Sequence, residues 1–141
     1  MILFSFAALL LSAAPAPHPP TWGDCADLEK RLAGARLDSR KWRAFREVAR
    51  HRAAAKLEPL PGFPACENVS RASADLSTDR RTVMLLRRAK LSRTDYLLTG
   101  WAAVVARYPT DYPGLAGDTA AGNRVFVDAH RDEVDALFRG E

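Results

Sequence analysis

Few side chains in this chain are of a type and spacing that could do chemistry, and His130 is foremost among them. Phe126, His130, Val134 and Leu137 recur at helical spacing near the C-terminal end, with Val127 and Phe138 beside them. An imidazole on such a face could ligate a metal or a haem iron, with His51 as a second ligand from another helix. The second reading of the chain is accordingly a binder of a small molecule, haem or metal in the bundle interior near Trp101 and His130. The side chain could equally be a half-buried histidine bonded to a carboxylate or a carbonyl. His130 is therefore a candidate ligand, although its own helix offers no second ligand at i+4. Asp128, Asp132 and Asp135 fall towards solvent on the same helix, whereas general acid–base work needs a carboxylate in a desolvated cleft. No CxxCH, CxxC, HExxH, phosphate-binding glycine loop or GxSxG occurs. The sequence reads as non-enzymatic, with no catalytic residue, metal site or cofactor to name.

Charge carries more information. Residues 1 to 93 hold 17 basic and 9 acidic side chains, while residues 94 to 141 hold 4 basic and 8 acidic ones. One predicted helix alone contains Arg40, Lys41, Arg43, Arg46, Arg50, Arg52 and Lys56 against a single Glu47. Arg43, Arg46 and Arg50 are the candidate basic surface, suited to an acidic protein or an anionic membrane. Nucleic acid is disfavoured, because no nucleic-acid-binding motif accompanies the charge and the chain reads as exported. Two blander accounts compete: a solvated charged face, or a basic helix neutralised by the acidic last one.

The export reading rests on residues 1 to 14, MILFSFAALLLSAA, followed by PAPHPP. A membrane span needs about 20 apolar residues, so this run suits a cleaved secretory signal. Residues 1–16 are assigned to it and 17–141 to a single helical domain, periplasmic or secreted. The basic start typical of such signals is missing, since no Lys or Arg precedes Ser12. Two cysteines suit an oxidising compartment. Cys25 lies on an apolar stripe with Leu28 and Leu32, Cys66 in a Pro-rich stretch, and a disulfide between them is expected. Two unrelated buried thiols are the alternative.

The elements that must position these residues are helical. Ala, Leu and Arg dominate and no period-2 alternation occurs, which predicts an all-α bundle of four to five helices with two Pro/Gly-rich connections. Its centre is the helix from Leu91 to Tyr108, which has no charge between Tyr96 and Ala106. Ser92 should cap it, with Leu91 and Tyr96 as a hydrophobic staple, and Pro109 should end it. Leu37, Asp38 and Trp42 repeat that device before a helix of about Ser39 to Lys56, which buries Trp42, Phe45 and Val48. A helix of about Asp79 to Lys90 should turn Val83, Met84 and Leu86 inward. A first short helix should run from Thr21 or Asp24 to Ala33, and a last one from Thr119 or Asn123 to Phe138. Residues 57–77 and 108–123 are expected to be irregular.

The pairs Leu91-Ser92 and Asp95-Tyr96, with Asn123-Arg124-Val125-Phe126 and Ala129-His130, resemble a loose group of small exported helical proteins of Gram-negative bacteria with no assigned activity. Gly122 stands where such proteins often carry Pro. The resemblance implies export and an all-α fold. It implies no activity and carries over no functional residue.

Overall fold

The computed structural model describes residues 25–61, 66–111 and 118–139, and among these the chain is all helical with no strand. The helices are α1 (Cys25–Gly34), α2 (Ser39–Ala54), α3 (Cys66–Thr78), α4 (Arg80–Arg88), α5 (Arg93–Arg107), α6 (Asp118–Ala129) and α7 (Arg131–Arg139), with a 3-10 turn at Pro109–Asp111. The predicted signal peptide 1–16, the caps Thr21 and Asp24, and the side chains of Cys25, Cys66 and Phe138 lie outside the described residues.

Helix α5 is the axis of the bundle, as its apolar run predicts. Tyr96, Leu97 and the whole stretch Thr99 to Ala106 are buried, and α1, α2, α3 and α6 all pack on it. A helix apolar all round is stable only when other helices cover every side. Helix α4 instead packs chiefly on α2 and α3, so it forms an outer layer. Gly100 permits the closest approach. A Cβ there would lie 2.5 Å from Leu60 Cδ1 and 2.7 Å from Phe45 Cε2, inside van der Waals contact.

The start signals act as expected. Ser92 Oγ accepts from the Asp95 amide at 3.0 Å and Asp38 Oδ1 from the Lys41 amide at 2.8 Å. The staple residues Leu37, Trp42, Leu91 and Tyr96 are all buried. Helices α2 and α4 also end alike. In the two Ala-Lys-Leu triplets, Lys56 and Lys90 adopt left-handed φ values of 57° and 52°. The following leucine amides, of Leu57 and Leu91, then reach back to the carbonyls of Arg52 and Leu86. This is the Schellman arrangement, usually closed by Gly.

Three expectations are corrected. First, the stretch 57–77 is not one long connection, because its second half is α3, which buries Ala72 and Leu76 one turn apart. Cys66 accordingly opens a helix rather than lying in a loop. Second, the last helix is two helices that break at His130, whose amide is shared between the carbonyls of Phe126 and Val127 at 3.1 Å each. Third, Leu85 and Thr82 face inward on α4 with Leu86, while Met84 is 59 % exposed and Val83 only half-buried.

Candidate functional site

Three assemblies of polar side chains stand out. The first joins α2 to α7. Glu133 Oε2 accepts from the Trp42 indole Nε1 at 2.9 Å and lies 3.1 Å from His130 Nδ1, while Oε1 meets Arg46 Nη1 at 2.8 Å. The indole N–H holds the Glu133 carboxyl below its ordinary value, helped by the charge of Arg46 and the bond with His130. Phe126 stacks on the His130 ring at 4.3 Å and meets Trp42 edge-on at 6.2 Å. His130 is thus half-buried at a helix break, partnered by Glu133, rather than set on a buried helix face.

The second assembly lies at the other end of α2. Arg52 is fully buried. Its guanidinium donates to the Glu58 carbonyl at 2.7 Å, to Asp75 Oδ2 at 2.6 Å and, more weakly, to Thr82 Oγ1 at 3.4 Å. It therefore ties the segment after α2 to both α3 and α4. Next to it Asp79 caps α4. Its carboxylate accepts from the Thr82 amide, the Thr82 hydroxyl and His51 Nε2, each at 2.8 Å. The His51 bond first, then those from Thr82, bring the Asp79 carboxyl down from 3.8 to about 2. His51 and His130 are not brought together, because nine residues of α2, about 13 Å of helix, separate Trp42 from His51.

The third assembly is the cationic surface, and it differs from the expected one. Arg43 and Arg50 are exposed as predicted. Arg46 is not part of an open face, because it is half-buried and paired with Glu133, and Arg52 is interior. The acidic last segment thus neutralises α2 at Arg46 but not along its whole length. Asp128 and Asp132 are exposed, whereas Asp135 turns inward and pairs with Arg107 Nε at 2.8 Å. The larger exposed cluster is on and just after α4: Arg80, Arg81, Arg87, Arg88, Lys90 and Arg93. The sequence pattern directs Arg80, Arg81, Arg87 and Arg88 towards water and makes this helix, with α2, one of the two basic helices expected to meet a partner, although the residues named for that surface are those of α2 alone. The usable signal was the absence of any Asp or Glu between Arg80 and Arg93.

Two hollows border α4. One, of about 650 Å³, runs between the end of α3 at Ser77 and the apolar side chains Val83, Leu86 and Leu91, with Arg87 and Lys90 on its rim. The other, of about 300 Å³, is formed by Met84, Leu85 and the arginines 81, 87 and 88. Among the described residues, no group of three or more His, Cys, Asp or Glu side chains is placed to hold a metal ion. No helix among them is long and apolar enough to cross a membrane. No protein-family model, curated protein or solved structure matches this chain.

Proposed function

We propose that this is an exported, non-catalytic helical protein that binds an anionic partner through the exposed arginines of α4, extended by Arg43 and Arg50 of α2. The observation that carries the reading is the run from Arg80 to Arg93, whose six cationic side chains are all exposed with no acidic residue among them. Two acidic side chains close to the run are already engaged: Asp79, which precedes it, by His51 and Thr82, and Asp75, on the adjoining helix α3, by Arg52. Exposed like charges held together on a fold repel one another, and a partner of opposite charge relieves that repulsion. Export follows from the apolar leader and, with it, a Cys25–Cys66 disulfide. The resemblance to small exported helical proteins points the same way.

The test is binding of the full chain to anionic probes as ionic strength rises. From 0.1 to 1 M salt the screening length falls from about 10 to about 3 Å, and the complex should dissociate. Replacing Arg80, Arg81, Arg87 and Arg88 with Gln removes about 1 kcal/mol each against an anionic surface. That should weaken binding about a thousandfold. Binding that ignores both salt and these substitutions would end the electrostatic reading. The intact mass of the mature protein checks the rest: loss of the leader supports export, and a deficit of two hydrogen atoms supports the disulfide.

A further inference from the structure

We propose that the anionic partner is a phospholipid bilayer, which α4 meets side-on with Met84 inserted among the headgroups. The inference rests on the cationic reading above and names its target. At 3.6 residues per turn, the outward arc of α4 runs in the order Val83, Arg87, Arg80, Met84, Arg88, Arg81. Met84 is therefore near the crest of a convex ridge, 59 % exposed, with arginines on both flanks. A thioether side chain left in water at such a position contributes nothing to the core, which Thr82, Leu85 and Leu86 supply on the opposite side.

The hollow beside Met84 shows how the flanking cations lie. It is formed by Met84, Leu85 and three arginines, and the surface lining it is almost wholly carbon, so the arginines present their stems to it rather than their charged heads. That is the disposition of a side chain that keeps its methylenes against hydrocarbon and its charged head in a polar layer. Charge and shape together favour the bilayer. Phosphodiester groups supply anions at every azimuth around an inserted apolar tip. An acidic protein would instead need a concave site with a pocket matched to one methionine and carboxylates placed around it. The outer-layer position of α4, packed on α2 and α3, leaves the ridge free to approach a flat surface.

The experiment compares the full chain with Met84→Ser and with the double variant Arg87→Gln/Arg88→Gln. Three probes are used: phosphatidylcholine vesicles, the same vesicles containing phosphatidylglycerol, and soluble polyaspartate. The parent should bind only the anionic vesicles and, more weakly, polyaspartate. Met84→Ser should lose about tenfold in affinity for the anionic vesicles, as expected for part of a buried methionine's transfer free energy, with polyaspartate binding unchanged. The double variant should lose about thirtyfold in affinity for both anions. Met84→Trp should show quenching by brominated acyl chains beyond that of the parent. Unchanged vesicle binding by Met84→Ser overturns the insertion. Polyaspartate bound with vesicles ignored makes the partner an acidic protein, and the lipid inference falls while the cationic reading stands. If neither anion is bound, both fall.

Discussion

At the scale of single residues, phase along a helix tells more than residue type. Arg52 was legible as a core position, because Trp42, Phe45, Val48 and Ala49 lead to it at steps of three and four. Its charge led instead to its being counted with a solvated face. What the sequence could not supply was the partner set, since Glu58, Asp75 and Thr82 come from segments that only the fold brings together. Removing one member of a fully buried ion pair costs about 3–5 kcal/mol. The Asp75 side chain is 42 % exposed, so water can partly take its place. Asp75→Ala should therefore destabilise by about 2 kcal/mol, below that range, as read by urea denaturation. Asp79 gives a test in pH. A carboxyl lowered from 3.8 to about 2 contributes stability that is complete above pH 4 and lost as pH falls towards 2. Asp79→Asn should be less stable than the parent at neutral pH, and the two curves should converge near pH 2. A constant gap across that window would mean that the carboxylate's charge contributes nothing.

At the scale of elements, starts were easier to read than stops. Asp38, Asp79 and Ser92 each announce a helix by a side chain that bonds an amide three residues on, a purely local event. The ends of α2 and α4 were less clear, because Lys occupies the left-handed position where Gly is usual. Left-handed backbone strains a residue with a Cβ by about 1–2 kcal/mol, partly offset by the entropy that a glycine would add to the unfolded chain. Lys56→Gly should accordingly stabilise by up to about 1 kcal/mol, seen as a higher Tm without a change in helix content. A lower Tm would show that the Lys56 side chain makes a stronger contribution than its backbone costs. Helix α3 is hard to read because its apolar residues at helical spacing, Val69, Ala72 and Leu76, are few and set among Ser, Asn and Asp that also suit turns. Packing against α4 and α5 decides in favour of helix. The break at His130 was equally hidden, since its apolar spacing runs unbroken from Phe126 to Leu137.

At the scale of the whole molecule, the axis was legible and the layering was not. An uncharged run from Tyr96 to Ala106, in a helix that stops just before Pro109, sufficed to place α5 at the centre, but nothing local says which helix lies outermost. That depends on how many neighbours each face finds, and it is what turns Met84 outward and makes α4 the candidate contact surface. Other connections are pinned as firmly as helices: Asn123 of α6 accepts from the Leu37 amide at 2.8 Å and donates to the Ala35 carbonyl at 2.6 Å, closing the turn between α1 and α2. The segment from Leu57 to Pro61 goes further. Arg52 holds the Glu58 carbonyl, the buried Tyr96 hydroxyl donates to the Pro59 carbonyl, and Leu60 fills the notch left by Gly100. Tolerance to insertion follows burial and backbone bonding rather than composition. A proline-rich stretch that looks like the natural place to splice in a tag or split the chain is thus a clasp across α2 and α5. Reporter fusions made there should yield protein that fails to assemble its core.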